Sequence, residues 1–327
     1  MLEVEDITKH YGPNRGIENL SLTVQQGEIL GLLGPNGAGK TTTLRIITGY
    51  LPATSGHVRV DGYELWTSPY EVRRRIGYLP DNPPMYPDMT VLDYLTFMAE
   101  MHEVPRAERD ARVDAVIERL QLGDVAGRLV GRLSRGYRQR VGLAQAVVHD
   151  PSVLVCDEPT VGLDPRQIAE MRELIRDFGQ RHAVIFSSHV LSEVQMLCDK
   201  IVIVHEGKVH ARGTPAELTA ALQGAPRWVV RAKGPADQIA VALRSVNGVT
   251  SVTNQFARGP IAELLIEAKP NATEIEDAVF AVVSKGGWAL RELRPLETSL
   301  EQVFLELTKT EQHERGKHAH LTEKKGK

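Results

Sequence analysis

One stretch of the sequence has residue types and a spacing that suit it to bind phosphate. Residues 34–42 read GPNGAGKTT and fit the pattern G-x-x-x-x-G-K-[ST]. Glycines let backbone N–H groups turn toward phosphate oxygens, and a following helix adds the partial positive charge of its N-terminus. Lys40 can reach the β- and γ-phosphates, and the Thr41 hydroxyl can ligate Mg²⁺. The stretch therefore predicts a nucleotide site, formed by Gly34, Pro35, Asn36, Gly37, Ala38, Gly39, Lys40, Thr41 and Thr42.

Two acidic residues follow an apolar run further along the chain. Val153–Cys156 predicts a buried strand, and Asp157 and Glu158 stand at its end. A carboxylate at position 157 can hold Mg²⁺, directly or through water, and so complete a site that begins with a phosphate loop. Glu158 is placed to polarise an attacking water. Alone it would be interpreted as a solvated loop carboxylate, but its position between Asp157 and Pro159-Thr160 favours a catalytic role.

The elements that must position these residues alternate between strand and helix, which is typical of an α/β fold. Thr42–Thr48 predicts the helix that leaves the phosphate loop. Apolar residues recur at helical spacing from Thr90 to about Leu122, so a helical subdomain of about residues 85–150 is predicted as an insertion in the α/β core. Core strands are predicted at Glu28–Leu33, Ile76–Leu79, Val153–Cys156 and Val184–Ser188.

The composition shifts after Gly213, and residues 223–226 predict a linker between a first domain, residues 1–220, and a second, residues 226–309. The second domain shows a βαββαβ order, which predicts a small ferredoxin-like α+β fold. A helix is expected at about Ser299–Thr308, and the polar residues 310–327 predict a disordered tail. The βαββαβ segments are Trp228–Ala232, Ala236–Val246, Thr250–Asn254, Glu263–Ala268, Thr273–Lys285 and Trp288–Leu293.

The composition of the 327 residues limits the class of protein. The formal charge is −3, from 39 basic and 42 acidic residues, and gives no general case for nucleic acid as a partner. Two cysteines form no disulfide framework and fit a reducing cytosol. No apolar run approaches the roughly 18 residues of a membrane span, and the N-terminus is too charged for a signal peptide. A cytoplasmic protein is expected, and it can still bind a membrane partner.

Four further motifs stand in order downstream of the phosphate loop. They are LSRGYRQR at 133–140, VLVCDEPT at 153–160, GLDP at 162–165 and SSH at 187–189. With GPNGAGKTT, this ordered set resembles the ATP-binding subunit of an ABC transporter over about residues 2–215. Residues 220–310 resemble the C-terminal extension of bacterial exporter subunits of the gliding-motility and drug-export type. The resemblance implies a P-loop NTPase fold of the ABC type that binds ATP and Mg²⁺ and hydrolyses ATP.

The resemblance also implies roles for single residues. Tyr11 matches the aromatic residue that stacks on adenine, although a packing role at a strand end is the alternative. Ser134 and Gly136 match the signature that contacts the γ-phosphate held by the other subunit. Asp157 matches the Mg²⁺ aspartate and Glu158 the catalytic glutamate. Asp164 matches the loop that couples the two sites of the dimer, and His189 matches the switch histidine that contacts the γ-phosphate.

Two departures from the family pattern stand in these motifs. The signature usually reads LSGGQ, but Arg135 replaces a glycine here and Tyr137 replaces the glutamine. Asp81 stands where the family commonly has glutamine after a strand. Aspartate is shorter and anionic, and it can ligate Mg²⁺ or orient water, so Asp81 is expected in the catalytic and metal site. A loop-capping carboxylate is the alternative.

The resemblance implies a mechanism and partners. Two copies arranged head to tail complete two ATP sites, and a separate membrane permease, contacted through about residues 81–87 and the following helices, receives the work. The subunit would then lie on the cytoplasmic face of the cell membrane. The alternative functions are a soluble ABC-type ATPase that acts on ribosomes or DNA and a non-hydrolysing regulatory module. The first would need a second cassette or a long coiled coil, and intact Lys40, Asp157, Glu158 and His189 oppose the second.

Overall fold

A computed structural model describes residues 1–12, 14–222, 226–258, 261–269, 272 and 275–296. The chain divides into two compact units, Met1–Pro215 and a second unit that begins at Ala216. Residues 223–225 of the predicted linker, the predicted helix at about Ser299–Thr308 and the predicted tail at 310–327 lie outside the described residues.

The first unit consists of two sheets, a set of helices packed on them and a helical subdomain. Its elements in chain order are β1 (Leu2–Tyr11), β2 (Asn14–Val24), β3 (Ile29–Leu33), α1 (Lys40–Ile47), β4 (Ser55–Val60), β5 (Tyr63–Glu64), α2 (Pro69–Arg73), β6 (Ile76–Leu79), α3 (Val91–Met101), α4 (Arg106–Arg119), α5 (Arg135–Val147), β7 (Val153–Asp157), α6 (Pro165–Gly179), β8 (Ala183–Ser188), α7 (Leu191–Leu197), β9 (Lys200–His205) and β10 (Lys208–Gly213). The next helix, α8 (Pro215–Leu222), begins at the last residue of this unit and otherwise belongs to the second. Two single 3₁₀ turns, at 123–125 and 130–132, precede α5.

The central sheet of this unit has six strands in the order β10-β9-β3-β8-β7-β6. The strands from β9 to β6 run parallel, and β10 pairs antiparallel at the edge. Every residue of β3, β7 and β8 is buried, because α6 and α7 pack on β8 and β3, while α1 and strands of a second sheet share an apolar core with the central sheet. A second sheet of four strands, in the order β2-β1-β4-β5, packs into the same apolar core. The carboxyl ends of β3, β7 and β8 therefore lie side by side, where ligands bind in open α/β sheets.

The helical subdomain follows β6, as its sequence pattern predicts. Thr90 caps α3, since its hydroxyl accepts a hydrogen bond from the Asp93 amide at 3.1 Å. Tyr94 and Leu95 of that helix are buried, and α3 packs against α4 and α5. The subdomain ends with α5, which brings the LSRGYRQR motif back to the core sheet, because α5 packs on β6.

The second unit has the βαββαβ order of a ferredoxin-like fold. Its elements are β11 (Arg227–Lys233), α9 (Ala236–Arg244), β12 (Val249–Arg258), β13 (Ile261–Ala268), α10 (Ile275–Lys285) and β14 (Ala289–Leu296). The strands pair antiparallel in the order β12-β13-β11-β14. Alternate strand residues and the inner faces of both helices form a core separate from that of the first unit. Val230, Leu243 and Ile266 in this core are fully buried. The opposite face of the sheet carries ion pairs, for example between Arg231 and Glu263 at 3.0 Å.

The structure confirms the predicted fold class and adds elements that the pattern did not predict. Helices α7 and α8 were not expected, and helix α1 begins at Lys40 rather than Thr42. Within the described residues, no helix combines the length and apolar character needed to cross a membrane.

Candidate nucleotide site

The phosphate loop lies between β3 and α1, and its backbone needs glycine. Gly37 and Gly39 have φ of 85° and 107°, in the left-handed region that side chains disfavour. A Cβ at Gly34 would lie 2.3 Å from the Val204 carbonyl oxygen, so this residue permits close contact between the loop and β9. The loop thereby brings its backbone to the first turn of α1, where helix N–H groups have no intrahelical partner.

Lys40 is 4% exposed and its ammonium is held on several oxygens. Its Nζ donates to the carbonyl oxygens of Gly34 at 2.7 Å and Pro35 at 3.1 Å. The same Nζ lies 3.1 Å from Oε1 of Glu158. The cation therefore bridges the phosphate loop and the end of β7.

A network of hydroxyl groups orients the two carboxylates at the end of β7. Thr41 Oγ1 donates to Asp157 Oδ1 at 3.3 Å, and Ser187 Oγ donates to the same oxygen at 2.8 Å. Ser187 Oγ also accepts from the Glu158 amide at 2.9 Å. Asp157 and Ser187 are register partners on adjacent parallel strands, so the sheet itself fixes this network.

The oxygen ligands at Asp157 fit Mg²⁺. A carboxylate and a threonine hydroxyl are hard ligands of the kind that Mg²⁺ prefers, and Mg²⁺ is usually held by one or two carboxylates together with substrate phosphates. Burial raises the pKa of Asp157, while hydrogen bonds from Ser187 and Thr41 lower it, with a net rise. A cation beside this desolvated carboxylate would favour its charged form.

Glu158 lies between a lysine and a histidine. Its Oε2 lies 2.6 Å from Nδ1 of His189, and its Oε1 faces Lys40. Glu158 adopts φ of 47°, an uncommon conformation for a residue with a side chain and one often found at functional sites. This backbone turns the carboxylate away from the strand, so that one oxygen meets the phosphate loop and the other meets the residue after β8.

The signature residues lie at the start of α5. Ser134 is the N-cap, and its hydroxyl accepts from the Tyr137 amide at 3.4 Å. The Tyr137 hydroxyl donates to Asp124 at 2.9 Å. Gly136 packs against α6, because an added Cβ would lie 2.7 Å from Cδ of Gln167. Among the described residues no hydrogen bond joins this segment to the phosphate loop of the same chain.

Asp164 and Asp81 follow strands at the same edge of the sheet but have different surroundings. Asp164 is the N-cap of α6 in a capping box, accepting from the Gln167 amide at 2.9 Å. The Asp81 carboxylate lies 3.9 Å from the Arg135 guanidinium. Within the described part of the chain, Asp81 makes no hydrogen bond to Thr41 or Asp157, so the structure does not bring it into contact with the other expected Mg²⁺ ligands.

Tyr11 ends β1 with a 48% exposed side chain. A Cβ at Gly16 would lie 2.8 Å from the Tyr11 ring, and the Gly16 carbonyl would lie 3.0 Å from a Cβ at Gly39. Tyr11 is therefore an exposed aromatic residue close to the phosphate loop, with Lys9 Nζ 5.6 Å from the ring centroid.

One positioning carboxylate was not predicted. Glu193, on α7, is 8% exposed and accepts hydrogen bonds from Thr160 at 2.8 Å and Ser188 at 2.9 Å. It therefore joins the segment after Glu158 to the residue before His189. The available signal was the helical spacing of Leu191, Val194 and Leu197 directly after His189.

Comparison with known proteins identifies the family. Residues 17–161 match the family model described as ABC transporter. A linearmycin resistance ATP-binding protein of Bacillus subtilis is 32% identical over 94% of this chain and 98% of its own length. This chain belongs to the ABC transporter ATP-binding proteins. A daunorubicin resistance ATP-binding protein of Streptomyces coeruleorubidus is 32% identical over 94% of this chain and 95% of its own length.

Solved structures agree with this assignment. The structure of an ATP-binding subunit of an ABC transporter superposes with a TM-score of 0.63 at 30% identity, covering 69% of this chain and 95% of that one. A bacterial ABC transporter cassette, solved as a dimer, gives 0.59 at 23% identity and covers 65% of this chain and 98% of that one, which shows the shared fold. The protein is an ATP-binding subunit of an ABC transporter and an ATPase, as its sequence motifs imply.

Proposed function

We propose that two copies of this chain bind two ATP molecules head to tail and that hydrolysis drives a separate membrane permease. The observation that carries this proposal is the contact of Lys40 and His189 with Glu158 beside the Thr41–Asp157 hydrogen bond. This cluster supplies phosphate-binding, metal-binding and base groups within one chain. The signature around Ser134 makes no described hydrogen bond to that cluster, which supports its use by a second copy.

In the proposed reaction the backbone N–H groups of residues 34–42 and the Lys40 ammonium hold the phosphates. Thr41 and Asp157 would hold Mg²⁺, which supplies charge neutralisation at the phosphates when bound. Glu158 accepts a proton from water as the water oxygen bonds to the γ-phosphorus and the bond to the ADP oxygen breaks. His189 orients the Glu158 carboxylate through the 2.6 Å contact. The exposed ring of Tyr11 would stack on adenine.

The proposed permease contact is an apolar groove between the helical subdomain and the core of the first unit. Its cavity of about 820 Å³ has aromatic and methionine side chains along both walls. Tyr50, Tyr86 and Met101 there are 73%, 55% and 61% exposed, a degree of apolar exposure that marks interaction surfaces. This groove includes part of the predicted contact loop at 81–87. The similarity to linearmycin and daunorubicin resistance proteins supports a subunit of an exporter on the cytoplasmic face of the membrane.

The head-to-tail arrangement is tested by mixing two inactive variants. Ser134→Arg places a long cation at the signature and disables the site on the other subunit, while Lys40→Ala disables the subunit's own phosphate loop. Each variant alone should lose ATP hydrolysis, and the mixture should recover part of it, because mixed dimers contain one intact composite site.

A matched control replaces Ser68, which stands at the N-cap position of the short helix α2, outside this cluster, and makes no side-chain capping hydrogen bond there. Ser68→Arg protein should keep wild-type hydrolysis. If Ser134→Arg protein hydrolyses ATP normally, or if the mixture stays inactive, the head-to-tail arrangement is wrong.

A further inference from the structure

The side chain of Arg135 lies where three loops of the ATPase unit meet. Its Nη2 lies 3.9 Å from Oδ1 of Asp81, in the loop after β6. The guanidinium also covers Gly162, in the loop after β7, since a Cβ there would lie 2.6 Å from Cζ of Arg135. Arg135 itself is the first residue of α5. One side chain thus joins the signature segment to loops that follow two core strands.

The loop that carries Asp81 is fixed to α5 at a second point. Gln139 is 2% exposed, and its Nε2 donates to the Asp81 backbone oxygen at 2.8 Å. Gln139 lies one helical turn after Arg135, so both side chains project from α5 toward the same loop. The backbone of Asp81 is therefore tied to α5 by this hydrogen bond, and among the described residues the ion-pair partner of its carboxylate is Arg135.

The contact between Arg135 and Asp81 can be exchanged for another partner. The two side chains are 49% and 57% exposed, and ion pairs between such exposed groups are weak. A cavity of about 250 Å³ between the Asp81 loop and α5 leaves room for both groups to change conformation. A guanidinium has five N–H donors and binds phosphate as readily as carboxylate.

We propose that Arg135 is a positioning residue that couples the two ATP sites of the dimer through Asp81. This inference rests on the proposed head-to-tail arrangement, in which the start of α5 faces the nucleotide of the other subunit. A γ-phosphate arriving there competes with the Asp81 carboxylate for Arg135. The released Asp81 carboxylate and the shifted loop at Gly162 then change the subunit's own site, at the ends of β6 and β7.

The test is a double-mutant cycle on the two side chains. Arg135→Gln, Asp81→Asn and the double variant are compared for the ATP dependence of hydrolysis and, in the Glu158→Gln background, for ATP-dependent dimerisation by sedimentation. Each single variant should lower the Hill coefficient toward about 1. Each should also shift the ATP concentration for half-dimerisation by about two- to fivefold, the range expected for a weak ion pair. The double variant should match either single variant.

Arg138→Gln is the matched control. Arg138 lies on the same helix and lines the same cavity, but its Nη1 donates to the Leu133 carbonyl at 3.0 Å rather than to a carboxylate. This variant should keep the wild-type Hill coefficient. Arg135→Lys, which keeps the charge, should retain part of the cooperativity, whereas Arg135→Met, which keeps much of the length without the charge, should not; equal retention by both variants would show a purely steric role and overturn the inference.

The outcomes separate this inference from the proposed function. Additive effects in the double variant, or equal effects of Arg135→Gln and Arg138→Gln, would overturn the inference. If wild-type hydrolysis depends hyperbolically on ATP while Glu158→Gln protein still forms dimers, the inference is overturned but the proposed function is not. If Glu158→Gln protein forms no ATP-dependent dimer, the head-to-tail arrangement itself is wrong.

Discussion

Lys40 Nζ and Glu158 Oε1 lie 3.1 Å apart, which places the cation of the phosphate loop in contact with the candidate base. The two side chains are only 4% and 14% exposed, so water does not screen the pair well. ATP phosphates would compete with Glu158 for this cation. Binding of ATP would then release one carboxylate oxygen toward water, while the other stays with His189. Nucleotide binding would therefore also prepare the base.

Replacement of Glu158 by glutamine should separate ATP binding from hydrolysis. The amide keeps the size of the carboxylate but cannot accept the proton of water, so turnover should fall by about 10²-fold or more. ATP-dependent dimers should accumulate, and sedimentation with ATP should detect them. Glu206→Gln is a matched control, because Glu206 has a φ of 46°, close to the 47° of Glu158, and lies in a hairpin turn. Wild-type turnover by purified Glu158→Gln protein would contradict the assignment of the base.

Lys40→Ala should instead weaken nucleotide binding. The substitution removes the cation that faces the phosphates and leaves Glu158 with His189 alone. Loss of a hydrogen bond to a charged group should reduce ATP affinity by about 10- to 100-fold, as measured by equilibrium titration with a fluorescent ATP analogue. Lys200→Ala, at the opposite end of the parallel strands, is the control and should bind as wild type does. Unchanged affinity of Lys40→Ala would show that the loop backbone alone holds the phosphates.

The sequence predicted those parts of the site that depend on local pattern. The phosphate loop and the pair Asp157-Glu158 each follow one apolar strand, and parallel strands carry their carboxyl ends to one edge. The role of Glu193 was missed, because α7 has only seven residues and mixes polar with apolar positions. The hydrogen bonds that Glu193 accepts from Thr160 and Ser188 depend on where this short helix packs against the sheet.

The contacts of Asp81 also could not be predicted from the local sequence pattern. The resemblance to the family implies a role for Asp81 in the metal site, which stays a prediction, and its carboxylate lies 3.9 Å from the Arg135 guanidinium. That contact depends on how α5, which follows the rest of the helical subdomain in the chain, packs on β6. Two of the three positions that depart from the family pattern, Arg135 and Asp81, therefore contact each other, which neither motif alone could indicate.

The stability of the first unit should depend on pH through a buried histidine. His149 stacks on His102 with ring centroids 3.8 Å apart, and its ring nitrogen Nε2 lies 3.3 Å from the Ile76 carbonyl oxygen. Burial, followed by the neighbouring His102, lowers the pKa of His149 to about 3, and Arg112 adds a smaller lowering effect. Burial also lowers the pKa of His102. Both imidazole rings are therefore uncharged in the folded protein at neutral pH.

The sign of the effect follows from proton binding by the unfolded chain. An unfolded histidine has a pKa of about 6.5, so below this pH the unfolded state binds more protons and stability falls as pH falls. Urea unfolding between about pH 7.5 and about pH 5.5 should show a slope of up to about 1.4 kcal/mol per pH unit from His149. His149→Gln should flatten this slope. His57→Gln, at a side chain that is 57% exposed, should not, and an equal slope in all three proteins would contradict the prediction.

Gly77 on β6 should tolerate no side chain. A Cβ there would lie 2.0 Å from the Ala146 carbonyl oxygen on α5, so Gly77→Ala must push the helix from the sheet. Overpacking of this kind costs about 1–3 kcal/mol, which should lower the melting temperature of the unit by several degrees, about 2–4 °C per kcal/mol. Gly123→Ala is the control, since an added Cβ there meets no atom within 4 Å. Equal melting temperatures of the two variants would show that α5 shifts without cost.

The second unit should regulate the ATPase rather than catalyse a reaction. Its core is separate from that of the first unit, so truncation after Gln223 should leave a folded protein that binds ATP. We expect that protein to differ from the full chain in dimer affinity or turnover, because a ferredoxin-like sheet with both helices on one face leaves the other face for a neighbour. Dimer affinity is measured by sedimentation with and without ATP, in the Glu158→Gln background that holds the closed state. Turnover is measured as steady-state ATP hydrolysis by proteins that keep Glu158. Removal of residues 310–327 alone is the control and should leave both unchanged. Identical dimer affinity and turnover of the truncated and full chains would mean that the second unit is a passive appendage of the ATPase.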